Sequence, residues 1–211
     1  MQARNFRLLS AVALVAVVTA CSTSDNPYSK LKDPPLVQAR LNTITLVSDS
    51  AAVEQAVEQL GFTRAAFQPN YQQADAVQAS LWSVPEPVAA KASYFKASAP
   101  GAADIRVLVM PLAAQGRVAE PAVDEAFFRN VLGTEVPTWP FPGSPPGDVR
   151  IQVWGYLVPN ILEARNRLRD NGIPVIFDAV AITTPYLGDH KTLAIRAPDG
   201  TVVQLVETAA Q

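Results

Sequence analysis

The stretch LAIRAPDGTVVQLVE, residues 193–207, decides the fold. Two apolar runs flank Ala197-Pro198-Asp199-Gly200. Proline presets φ at the first corner of a turn, and glycine accepts a positive φ, so these four residues predict a hairpin. Strand alternation puts Leu193 and Ile195 on a core face, with His190, Thr192 and Arg196 on the other; Gln204 shares a face with Val202 and Val206. A lone amide in a run of valines and leucine asks what the hairpin completes.

Upstream, RIQVWGYLV (residues 150–158) reads as a strand. Asn160 then opens a helix as N-cap, with Glu163 three residues on. Ile161, Ala164 and Leu168 form its apolar face, Glu163 and Arg167 have i, i+4 spacing, and Asn171-Gly172 ends it. Strands follow near residues 174–177, 191–196 and 201–207. The same order occurs earlier in the chain. LNTITLVSD (41–49) is a strand, Asp49 or Ser50 can cap a helix with Val53, Ala56, Val57 and Leu60 on one face, and Gly61 stops it. Further strands are expected near 62–67, 79–84, 93–97 and 105–110.

This doubled pattern carries a resemblance. VPNILEARNRLRDNGIPV followed by LAIRAPDGTVVQLVE resembles the second module of the vicinal oxygen chelate superfamily, and ITLVSDSAAVEQAVEQLGF resembles the opening of the first. The superfamily includes glyoxalase I, fosfomycin and bleomycin resistance proteins and extradiol dioxygenases. The resemblance implies an α+β fold of two βαβββ modules that form one curved mixed sheet, with helices on the convex face and a ligand cavity on the concave one. Module one then covers residues 39–112, a connector 112–148, and module two 149–211.

The resemblance also implies where a metal would sit: on the first and last strands of each module, held by His, Gln or Glu. Those positions fall on Asn42 or Thr43, on Gln152 or Val153, and on Gln204, while residues 105–110 contain no Glu, His or Gln. Neutral amides bring no negative charge to a hard divalent ion. No metal or other cofactor is therefore expected. With it go the Lewis-acid and bound-hydroxide routes of the metal-dependent relatives.

Alternation assigns a cavity lining of Thr43, Thr45, Gln152, Trp154, Tyr156, Thr192 and Gln204, with Ile151, Val153 and Leu157 packed under the helices. Such a surface is aromatic, amide-rich and almost uncharged, which suits a small, partly apolar ligand. Each residue also has a plainer reading: Trp154 and Tyr156 as core, Gln204 as a partner to a neighbouring polar group. His190, the only histidine, is the candidate acid–base group, although it adjoins a turn at Gly188-Asp189. Between the modules, VDEAFFRNVLG (123–133) predicts a short amphipathic helix, and a proline-rich stretch follows. That excursion reads as a lid over the cavity or as a connector, and we favour the connector.

The N-terminus sets the location. Arg4 and Arg7, an apolar run and Val18-Thr19-Ala20-Cys21 form a secretory signal over residues 1–20. Val-Thr-Ala-Cys resembles the bacterial lipobox, which implies acylation of Cys21, the only cysteine. Ser22 in place of aspartate points, by the sorting rule of enteric bacteria, to the outer membrane facing the periplasm. Residues 21–38, polar and holding Pro34-Pro35, read as a tether. A formal net charge of −2 gives no sign of a nucleic-acid partner.

These readings describe a lipid-anchored, metal-free envelope protein that binds a small molecule and is not an enzyme. A homodimer is allowed by the resemblance. The alternatives are a metal-independent isomerase or lyase using His190, and a structural or interaction lipoprotein whose cup is filled by its own side chains.

Overall fold

The computed structural model describes residues 26–66, 76–111, 124–184, 187–198 and 200–208. The signal segment, Cys21 and Asp199 lie outside them. The elements, in chain order, are β1 (Arg40–Ser48), α1 (Ala52–Gln59), β2 (Thr63–Arg64), α2 (Ala76–Trp82), α3 (Glu86–Ala89), β3 (Ser93–Lys96) and β4 (Asp104–Val109). Then come α4 (Glu125–Phe127), which continues as a π-helix over Phe128–Leu132, β5 (Val149–Leu157), α5 (Ile161–Asp170), β6 (Val175–Thr184), β7 (Gly188–Arg196) and β8 (Val202–Thr208).

The eight strands form one mixed sheet in the order β2-β3-β4-β1-β5-β8-β7-β6. In each half the last strand lies parallel to the first, β4 on β1 and β8 on β5. β1 and β5 meet antiparallel at the centre. Two βαβββ units therefore share one sheet, as the sequence pattern implied. The closing hairpin forms at the expected turn, where Gly200 N donates to Ala197 O (2.9 Å).

Register defines two faces, because residues directly opposite each other point the same way. On the outer face Ile105, Ile44, Trp154, Val203 and Ile195 lie side by side across five strands. They belong to the larger core, with Val53 and Val57 of α1 and Ile161, Ala164 and Leu168 of α5. On the inner face Arg106, Thr45, Val153 and Val202 form one row, and Thr43, Gly155, Gln204 and Ala194 form the next.

Trp154 and Tyr156 thus lie on the outer face, not in the cavity lining expected for them. The cause is a register slip in β5: Thr45 pairs with Val153 but Leu46 pairs with Ile151, leaving Gln152 as an extra residue. One inserted residue moves every later side chain to the opposite face. Val153 consequently faces inward with Ala194 and Val202. Gly155 marks the irregularity, since a Cβ there would stand 3.1 Å from Thr43 O. A second slip between Leu41 and Thr43 leaves Asn42 extra on β1.

Three other expectations are corrected. Residues 79–84 are not a strand: α2 occupies 76–82, burying Gln78, Leu81 and Trp82 at i, i+3, i+4. A short apolar run does not separate helix from strand by periodicity alone, and here Ala, Gln and Leu tip the local preference to helix. Of the strand expected over 62–67, the described residues 62–66 hold only the two-residue β2, which pairs with β3. The tether, finally, is docked from Asn26 onward: Leu36 and Val37 are buried in the outer core. Leu36 N, Val37 N and Ala39 N donate to Asn130 O, Val131 O and Leu132 O, filling carbonyls at the end of the π-helix. These residues form a strap.

The described part of the connector sits under the same strap. Asp124 caps α4 by accepting from Phe127 N (3.1 Å), and Phe127, Phe128, Val131, Leu132 and Phe141 join the outer core. This part is packed structure on the outer face, not a lid on the inner one.

Two outcomes test this arrangement. Gly133 ends the π-helix at φ +68, and a Cβ there would stand 2.8 Å from Val37 O. Gly133→Ala should cost about 1–3 kcal/mol from the backbone conformation alone, read as a lowered urea midpoint. Trp154→Ala should cost about 3–5 kcal/mol by the same measurement, as an outer-core side chain and unlike a cavity wall.

Candidate functional site

The inner face is where the sequence placed a ligand, and its side chains are occupied with one another. Trp82, at the C-terminal end of α2, is fully buried against the sheet. Arg106 of β4 is 1% exposed; its guanidinium carbon lies 4.3 Å from the Trp82 ring centroid and 5.2 Å from that of Tyr94. Its Nη1 donates to Thr45 Oγ1 at 3.0 Å. A desolvated cation over an indole gains about 2 kcal/mol or more, which offsets part of the cost of taking a guanidinium out of water. Gln152, pushed inward by the register slip, donates from Nε2 to Trp82 O at 2.7 Å. That bond satisfies a carbonyl at the end of α2, where intrahelical donors run out.

Around this centre Ala79, Leu81, Val84 and Ala89 of the α2–α3 segment pack on Val47, Leu108, Val153, Ala194 and Val202. On the β8 side, Gln204 donates from Nε2 to Thr192 Oγ1 (3.0 Å), and Thr192 donates to Leu205 O (3.1 Å). Thr43, Thr45, Thr192 and Gln204 are all buried. Of the seven expected lining residues, Thr43, Thr45, Gln152, Thr192 and Gln204 share the inner face, as alternation implied.

The donors do not fit a divalent cation. Gln204, Gln152 and the threonines are all neutral, and a buried guanidinium stands in the row beside Thr45. A second positive charge there meets like-charge repulsion in a low-dielectric setting. Among the described residues no group of three or more His, Cys, Asp or Glu side chains is gathered for a metal. Asn42, the other first-strand candidate, donates to Thr43 Oγ1 (2.9 Å).

His190 lies apart from this centre. It pairs with Ile182 and Thr208 at the end of the β6–β7 hairpin, is 4% exposed, and its Nδ1 donates to Gly188 O (2.9 Å). It borders an open depression of about 480 Å³, which Ala181, Ile182, Thr183, Asp189, Lys191 and Glu207 also line. Polar side chains there have partners: Thr183 Oγ1 donates to Asp189 Oδ1 (2.6 Å), and Lys191 Nζ pairs with Glu207 Oε1 (3.0 Å). Arg196 donates to Gly200 O (2.7 Å) in its own hairpin.

Three residues of consequence were missed from sequence. Trp82 and Arg106 gave no pattern, because their meeting depends on α2 folding across the sheet. Glu207 accepts from Ile161 N (2.7 Å) through its second oxygen and so closes the N-terminus of α5. Asn160 supplies the expected cap on the next two amides, Leu162 N and Glu163 N. A carboxylate at the α5 N-terminus also meets the positive end of the helix dipole.

Solved structures similar in fold include methylmalonyl-CoA epimerase from Mycobacterium tuberculosis, at 17% identity over 88% of this chain and 97% of that chain, with a TM-score of 0.46. A glyoxalase/bleomycin resistance protein/dioxygenase superfamily member from Vibrio splendidus 12B01 is similar at 13% identity over 81% and 99%, TM-score 0.42. The Mn(II)-bound glyoxalase from Novosphingobium aromaticivorans is similar at 11% identity over 80% of this chain and 40% of that one, TM-score 0.43. No family model and no curated protein matches the sequence. Likeness at this level concerns chain path and carries nothing about chemistry.

Two measurements probe the site. The Ile161 amide, then Lys191, holds the Glu207 carboxyl below the usual carboxylate range. Its stabilising contribution is therefore complete above the ordinary Glu value of about 4.3 and is lost as pH falls through the lower folded value. Glu207→Gln should flatten the acid limb of a stability-against-pH curve below that value and lower the urea midpoint at neutral pH. Trp82→Ala should cost about 3–5 kcal/mol, since it empties the centre of the inner face.

Proposed function

We propose that this is a lipid-anchored, non-catalytic protein of the bacterial cell envelope, free of metal, that acts through its surface rather than through an interior cup. The observation that carries this reading is the Trp82–Arg106 stack, which occupies the middle of the inner face with the chain's own side chains. The polar groups that a ligand would have to recruit, Gln152, Thr192, Gln204 and Thr45, already have internal partners. A ligand entering there would have to replace those bonds as well as displace a buried indole.

The lipid anchor rests on the Val18-Thr19-Ala20-Cys21 signal, and periplasmic-facing outer-membrane placement on Ser22. An isomerase or lyase role for His190 has in its favour that the residue lines the depression beside β6 and β7; against it, the side chain is 4% exposed and its Nδ1 is spent on Gly188 O. A second reading, binding of a small molecule, is favoured by one observation only: the depression of about 480 Å³ beside β6 and β7.

Native mass spectrometry of the unlipidated protein, purified gently from its own host, separates these readings. We expect the bare polypeptide mass. A stoichiometric divalent ion would overturn the metal-free reading, and a stoichiometric organic ligand would favour the small-molecule one.

A further inference from the structure

The strap has a consequence for where the domain can be. From Asn26 onward the chain is bound to the body: Asn26 Nδ2 donates to both Asp124 carboxylate oxygens (3.0 Å each), and Asn130 Nδ2 donates to Tyr28 O (2.8 Å). Tyr28 stacks edge-on against Phe127 with centroids 5.2 Å apart. Lys32 N donates to Asn171 Oδ1 (2.8 Å) and Arg167 Nη2 to Asp33 O (2.7 Å), tying the strap across the end of α5. Leu36 and Val37 then enter the outer core.

Only Ser22-Thr23-Ser24-Asp25 separates Cys21 from the first docked residue. Five peptide steps, fully extended, span at most about 18 Å. That is less than the width of a small domain. The sequence alone suggested a tether running to residue 38. Docking removes most of that length.

We propose that the domain rides on the lipid surface in one orientation, with the strap and the exposed side of α4 toward the headgroups and the α2–α3 side turned to water. This rests on the lipid-anchor reading above. The partner is the membrane surface itself. The rim that the leash presents to it is polar: Glu125 and Arg129, both about three-quarters exposed, pair at 3.6 Å beside Asn26's partner Asp124. Such a rim suits the headgroup zone and not the acyl interior. The strap lies in the outer layer while α2 and α3 lie on the inner face, so the sheet stands between them. A short leash also raises the effective concentration of the rim at the bilayer, so that weak headgroup contacts suffice to hold it.

The test uses the lipidated full-length protein in phosphatidylcholine–phosphatidylglycerol vesicles containing a headgroup nitroxide lipid. A fluorophore is placed at Arg129→Cys on the π-helix that continues α4 or at Glu86→Cys on α3, Cys21 being blocked by its acyl group. The expected result is several-fold stronger quenching at residue 129 than at 86. Inserting about 20 Gly/Ser residues after Ser24 should bring both to one low level. Equal quenching with the natural leash, or a difference untouched by the insertion, overturns the orientation while leaving anchoring intact. Protein that stays out of the vesicle fraction and takes label at Cys21 overturns anchoring and orientation together.

Discussion

The register slip at Gln152 is the constraint on which the rest depends. One extra residue in β5, opposite the step from Thr45 to Leu46, reverses the facing of the remainder of that strand. Trp154 and Tyr156 pass into the core under the helices, and burial raises the pKa of the Tyr156 hydroxyl. Gln152 itself is pushed inward, where its amide holds the last carbonyl of α2. Had β5 been regular, two large aromatics would have stood on the inner face, and the Trp82 indole could not have lain there.

From that exchange follows the chemistry of the inner face. Compact residues on the inner face, Val153 in one row and Gly155 and Ala194 in the next, leave room for α2 to lie against the sheet. Trp82 then covers Arg106, and a guanidinium that would be costly when buried gains an aromatic face and a hydroxyl partner. The same guanidinium makes the surroundings unwelcoming to a divalent ion. Packing and electrostatics agree: this face is built as an interior.

Much of the fold was legible in the sequence because its signals are local. The Ala197-Pro198-Asp199-Gly200 turn, the Asn160 cap and the apolar stripes of α1 and α5 each act within a few residues. The doubled strand–helix order then implies two matching units. What was not legible depends on contacts distant in sequence. Alternation cannot register a bulge, although Gly155 in mid-strand hinted at one. The run from Ala76 to Val84 has an apolar content that fits strand or helix; a modest local preference for helix is settled by its seat on Val47 and Leu108. The strap looked like a linker because Pro34-Pro35 and its polar neighbours show no period; its burial comes from Leu36 and Val37 meeting α4, about 95 residues away in the chain.

The central claim is that Trp82 and Arg106 close the inner face from within. Solution NMR of the protein measures this most directly, through nuclear Overhauser contacts of the Trp82 indole. The account predicts contacts from that ring to Arg106 and Val153 side chains and slow exchange of the indole N–H. An indole N–H exchanging at the solvent rate, with no contact to Arg106, would contradict it.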